Sequence, residues 1–189
     1  MEQISLAGGF TDAPVQSAHA FRAALDVLAR PGTIREIEGG TAPAPVSQAA
    51  ATLLLTLCDG QTPIHLAGAH DCKPVRDWIA FQIGAPVSDR ANAAFALGTW
   101  EALAPLDAFP IGTPEYPDRS TTLIVEMETL APDGAQLTGP GIKESAALNL
   151  PETAAFARNA LLFPLGLDFY FTAGRQVAAL PRSTKVEAL

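Results

Sequence analysis

The sequence predicts a single α/β domain over residues 1–189, with a mixed β-sheet and helices on both faces. Three observations carry that expectation. Short apolar runs alternate with helix-period segments through the first half of the chain, the order that builds a sheet with crossover helices. Two further apolar runs, separated by a Gly-containing turn, read as a hairpin near the end of the chain. The 189 residues are 48% hydrophobic and 17% charged, enough to bury a sizeable core and too apolar for a disordered chain.

The elements follow in order. Val15, Ala18, Phe21, Arg22, Leu25 and Leu28 recur at helical spacing, with Thr11 or Asp12 available as a cap and Pro14 suited to the first turn. Pro31-Gly32 stops that helix, because Pro disfavours helical geometry in the residue before it. Residues 33–37 read as a strand, 39–45 as a loop, and 46–57, rich in Ala and Leu, as a buried helix. Residues 63–67 form a short buried strand, and Asp71 caps a helix with Val75, Trp78, Ile79 and Ile83 on its inner face. A strand at 95–99, a short helix at 100–106 and an ordered loop at 109–118, dense in Pro and Gly, come next.

Residues 121–128 make a β segment, and Asp133-Gly134 signals a hairpin to a partner strand near 136–138. Pro151 opens a last helix that offers Phe156, Asn159 and Leu162 to one face. The chain then forms strands at 167–172 and 176–180 around Ala173-Gly174-Arg175, and Pro181, lacking an N–H, ends the second. Arg182, Ser183 and Thr184 emerge together at that strand end.

Charge excludes some functions. Acidic side chains outnumber basic ones by 20 to 12, a net charge of −8 that argues against nonspecific binding to nucleic acid or a membrane surface. The longest apolar stretch, residues 49–57, is too short to span a bilayer, and Glu2 stands where a secretory leader would be basic. These features predict a cytoplasmic protein. Two cysteines make no disulfide framework.

Several side chains invite chemistry. Gly139-Pro140-Gly141 could bring backbone N–H groups to a phosphate, with Lys143 adding charge. It lacks the spacing of the established phosphate loops and Pro140 removes a donor, so a tight turn is the favoured reading. Cys58, His65, His70 and Cys72 are spaced unlike paired metal ligands, and no metal is expected. Cys58, in an apolar helix, should have a raised pKa and be inert. Glu126 and Glu128 share one face of a strand, read here as a solvated face. Asp168, an acid at a buried strand, needs a partner, either Arg182 or a backbone turn. No nucleophile stands out.

The run Phe163-Pro164-Leu165-Gly166-Leu167-Asp168, followed by Ala179-Leu180-Pro181-Arg182-Ser183-Thr184, resembles the C-terminal hallmark of the PhnH family, a subunit of carbon–phosphorus lyase. Residues 15–32 (VQSAHAFRAALDVLARPG) and 116–123 (YPDRSTTL), and Gly139-Pro140-Gly141-Ile142, resemble the same family's earlier segments, in order.

That resemblance implies a fold like the large domain of pyridoxal-phosphate-dependent transferases, working without that cofactor. Of the lysines, Lys73, Lys143 and Lys185, none has a convincing Schiff-base setting. The resemblance also implies PhnG-, PhnI- and PhnJ-like partners. Together they replace the adenine of a purine nucleoside triphosphate with an alkylphosphonate, the reaction of a ribose 1-methylphosphonate 5-triphosphate synthase. The iron–sulfur chemistry belongs to the PhnJ partner, and two cysteines here cannot hold a four-cysteine cluster.

Two readings of this chain follow. In one it is an assembly subunit, a homodimer in isolation, with no catalytic residue of its own. In the other it is a stand-alone nucleotide- or phosphonate-binding transferase. Arg119, Lys143 and Arg182 would then clamp the anion, with Ser183, Thr184 and Ser120 as hydroxyl donors and Gly139 and Gly141 beside them. The bland alternative is that these cations pair with neighbouring carboxylates such as Glu115, Asp118 or Glu144. Arg30 is a weaker candidate of the same kind.

Overall fold

The computed structural model describes residues 7–188; Glu2, on which the leader reading rests, lies outside them. Helix α1 (Ala13–Ala29) starts under an Asp12 cap, and Gln16 Oε1 accepts from the N–H groups of Thr11 and Asp12 at 2.8 Å each. Strand β1 (Arg35–Glu36) and helix α2 (Gln48–Leu57) follow, the latter capped by Ser47 Oγ on the Ala50 N–H at 3.1 Å. Next come β2 (Ile64–Leu66), α3 (Lys73–Gln82), β3 (Phe95–Thr99), the one-turn α4 (Trp100–Leu103) and β4 (Thr122–Glu126). The chain continues through β5 (Ala135–Thr138), β6 (Ala146–Leu148), α5 (Thr153–Ala160), β7 (Asp168–Ala173), β8 (Gln176–Leu180) and β9 (Lys185–Ala188).

Six strands form one mixed sheet in the order β1-β8-β7-β4-β3-β2. β2, β3, β4 and β7 run parallel, and β8 turns back antiparallel to both β7 and β1. The pleat sends alternate residues to two cores. Ile124 of β4 lies with Leu97, Tyr170 and Val177 beneath the first three helices. Leu123 and Val125 face the other way, with Phe169, Phe171, Trp100 and α5. Phe156 of α5 centres that second core, 4.8 Å from the Trp100 ring and 4.9 Å, edge to face, from Phe169. Burying such an aromatic side chain contributes about 2–3 kcal/mol. The expected single α/β architecture, a mixed sheet with helices on both faces, is therefore present.

Two expectations are corrected here, the hairpin and the α3 cap. The Asp133-Gly134 hairpin does not form: β4 is flanked on both sides by parallel β3 and β7, so no edge is open to the 136–138 segment. That segment, as β5, instead centres a separate three-stranded antiparallel sheet, order β6-β5-β9. Pro181 ends β8 as expected, yet the chain resumes as β9 three residues after Arg182. Cys72, not Asp71, occupies the cap position of α3, and Asp71 pairs instead with Arg76.

On α1 the buried residues are the small ones, Ala20 and Ala24, with Val27, which lets the helix pack against α2. Phe21 and Leu25 of the apolar stripe remain 51% and 54% exposed. The expected helix at 100–106 stops at Leu103, after a single turn.

Candidate functional site

The C-terminal signature builds a latch at the amino ends of the parallel strands. Asp168 opens β7 and Arg182 follows β8, and the antiparallel register brings Phe169 opposite Leu180, so the two side chains meet. Asp168 Oδ1 accepts from the Arg182 backbone N–H at 2.8 Å and from Nε at 3.1 Å, and Oδ2 pairs with Nη2. The remaining guanidinium donors go to the Pro117 carbonyl at 2.7 Å and to Ser120 Oγ. These contacts tie three segments together: the turn before β4, the start of β7 and the end of β8. The arginine side chain is 13% exposed, so this is a largely desolvated, bidentate pair. Beside it, Asn159 of α5 reads both backbone groups of Leu167, donating to its carbonyl at 2.9 Å and accepting from its N–H at 2.8 Å.

The other sequence candidates lie around this latch without converging on one point. Arg119 sits in the turn between Pro117 and Ser120, exposed, with its guanidinium 4.0 Å from the centroid of the Tyr116 ring. Lys143 is exposed on the turn between β5 and β6. Gly139 (φ +133°) lies 3.2 Å from the Ser183 carbonyl, measured from where a Cβ would stand, so the Gly-Pro-Gly turn packs on the Ser183–Thr184 backbone. Gly141 (φ +80°) backs onto the Ala29 carbonyl at the end of α1, where any side chain would collide.

Those contacts explain both glycines as a close-packed turn. Thr184 is buried, with its Oγ unpartnered among the described residues. Arg30 pairs with Asp26 at 2.9 Å.

A second polar cluster lies at the opposite, carboxyl end of the sheet, and sequence reading missed it. Glu126, the last residue of β4, is not on a solvated face: its side chain is 10% exposed. Its Oε1 accepts from the Ser47 N–H at 2.7 Å, at the start of α2, and its Oε2 from Thr172 Oγ1 at 2.9 Å. A carboxylate against a helix N-terminus complements the helix dipole.

His70 approaches the same Oε1, its Nε2 at 4.0 Å. That imidazole is 4% exposed, and neither ring nitrogen has a hydrogen-bond partner among the described residues. Burial raises the Glu126 pKa against the pull of Ser47 and Thr172, and burial lowers that of His70. The available signal was an acid ending the apolar run Leu123-Ile124-Val125, which a strand buried on both faces would have to desolvate.

Burial pushes the Cys58 thiol up to about 12, and no group of three His, Cys, Asp or Glu among the described residues could hold a metal ion. Among the described residues no helix is long and apolar enough to cross a membrane.

Residues 8–187 match the profile of the family described as bacterial phosphonate metabolism protein (PhnH). The chain is 41% identical over 191 residues to the alpha-D-ribose 1-methylphosphonate 5-triphosphate synthase subunit PhnH of Rhizobium meliloti (strain 1021), covering 95% of this chain and 94% of that protein. It is 26% identical over 175 residues to the putative C-P lyase subunit protein HtxG of Stutzerimonas stutzeri, covering 88% and 84% respectively. A latch built from the C-terminal signature, within a match that runs almost end to end, places this chain in the PhnH family.

Proposed function

We propose that this chain is a subunit of the carbon–phosphorus lyase system in organic phosphonate catabolism. It acts there with PhnG-, PhnI- and PhnJ-like partners to make ribose 1-alkylphosphonate 5-triphosphate from a purine nucleoside triphosphate and an alkylphosphonate. The observation that carries this reading is the 41% identity, across 95% of the chain, to a protein named as a subunit of the ribose 1-methylphosphonate 5-triphosphate synthase. The role proposed is accessory. Arg182, the best anion-binding candidate, already has its donors on Asp168, Pro117 and Ser120.

The same reading takes the chain as a cytoplasmic homodimer in isolation. Its sheet would be related to the large domain of pyridoxal-phosphate-dependent transferases but work without that cofactor. Co-expression with the three companion subunits and capture through a tag on this chain tests it. A stable co-purifying assembly is expected, and a chain that emerges alone would refute it.

A second reading keeps an anion site, with Arg119, Lys143, Gly139, Gly141, Ser183 and Thr184 around a triphosphate. Arg119 and Lys143 favour it, since both are exposed and neither makes an ion pair among the described residues. It predicts ATP or GTP binding by the isolated chain, weakened by salt and by alanine at either position.

A further inference from the structure

We propose that His70 and Glu126 form a proton-operated clasp, sharing one proton that ties the turn after β2 to the end of β4 and the start of α2. The clasp belongs to the isolated chain and needs no companion subunit.

His70 closes the short turn Gly68–His70 after β2, and Glu126 ends β4. The 4.0 Å from Nε2 to Oε1 is about 1 Å beyond a hydrogen bond, and the two side chains are only 4% and 10% exposed. Glu126 already accepts from the Ser47 N–H on Oε1 and from Thr172 Oγ1 on Oε2. A proton on Oε1 keeps both bonds and gives the carboxyl a donor for Nε2, which has no other partner among the described residues.

Burial decides how many protons the pair holds. With none added it carries a single negative charge, with one it is neutral, and with two it is a cation. A net charge in a desolvated site is costly, and the cation would also face the positive end of the α2 dipole. The one-proton state is therefore the stable one, and its limits belong to the pair. The individual shifts agree: burial raises the Glu126 pKa, and burial lowers that of His70 against the pull of the Ala67 carbonyl. Losing the shared proton, or gaining a second, releases the turn from α2.

The surrounding charges leave the pair to itself. Strand β3 and helix α2 carry no titratable side chain. Around the start of α3, Asp71 pairs with Arg76 and Lys73 with Asp77. His65 of β2 has its Nδ1 3.1 Å from the Ser88 carbonyl, and Arg175, after β7, pairs with Glu36 and Glu38. Glu101 of α4 and Glu128 beyond β4 are exposed.

The test is an NMR titration of the isolated chain, following the His70 ring Cε1–H and the Ser47 amide. His19 and His65 serve as internal controls, and each variant is checked by thermal melt. The proposal expects the His70 ring to titrate in two steps, the upper coinciding with the Ser47 midpoint. In Glu126→Gln the upper step should vanish and the lower remain. In His70→Phe the Ser47 midpoint should fall by about one pH unit, a tenfold loss of proton affinity that matches one hydrogen bond. A single His70 step that Glu126→Gln leaves in place, or a Ser47 midpoint that His70→Phe does not move, would overturn the clasp. If Glu126→Gln fails to fold, the His70→Phe arm decides alone.

Discussion

The two ends of the parallel sheet solve opposite problems. At the amino end, Arg182 and Asp168 are matched donor for acceptor and the neighbouring Pro117, Ser120 and Leu167 groups are also satisfied. At the carboxyl end, Glu126 is buried with two neutral donors, beside an imidazole whose nitrogens find no hydrogen-bond partner among the described residues. Open α/β sheets generally hold ligands outside the carboxyl ends of their strands. Here that end is filled by the chain's own carboxylate and imidazole, seated at the start of α2. The signature at the other end acts as architecture. The difference teaches that the residues most legible as a family signature hold the fold, whereas the electrostatically uncomfortable ones carry no motif.

The largest effect expected is on the latch. Asp168→Ala leaves the Arg182 cation largely desolvated without its counter-charge and should cost about 3 kcal/mol, read as a lower urea midpoint with unchanged slope. Arg182→Lys keeps the charge but loses the planar fork that reaches Asp168, Pro117 and Ser120 together, and should cost about 1–2 kcal/mol.

The carboxyl end should respond to pH rather than to simple truncation. The folded-state pKa of Glu126 is raised, so the native state holds its proton longer than the unfolded chain does. That contribution is complete below the unfolded carboxyl pKa and is lost as pH rises through the folded value. Glu126→Gln should therefore gain stability relative to wild type as pH rises across that window.

His70 runs the other way. Its folded pKa is lowered, so its contribution is complete above the unfolded imidazole pKa and is lost as pH falls through the folded value. The part of the acid-side loss that is due to His70 should be missing in His70→Asn, measured as urea stability between pH 5 and 8. The smallest effect belongs to Lys143→Ala on the exposed turn, expected within about 0.5 kcal/mol of wild type. Stability unchanged, together with no loss of nucleotide binding, would remove Lys143 from the anion-site reading.

Much of this was legible in the sequence where local rules decide. Pro31-Gly32 ended α1, the Gly174 turn joined β7 to β8, and the β segment read at 121–128 contains β4. Asp168 was read as needing a partner, and Arg182 was one of two offered. What failed depends on which strands lie side by side. The Asp133-Gly134 turn has hairpin chemistry, but β4 has parallel neighbours on both edges, so the following strand founded a second sheet. Glu126 and His70 are 56 positions apart in sequence and meet only because β2 and β4 flank β3, a proximity no spacing rule reveals. The exposure of Phe21 and Leu25 was hidden because helical spacing identifies an apolar stripe without saying whether the alanines beside it pack closer.

The most direct test of the latch is a double-mutant cycle on Asp168→Ala and Arg182→Ala, measured by urea unfolding. If the signature holds the fold, the two changes should couple by about 2 kcal/mol, the double variant being little worse than either single one. Additive effects, with Arg182→Ala near neutral for stability, would contradict the account and return that arginine to the candidates for ligand binding.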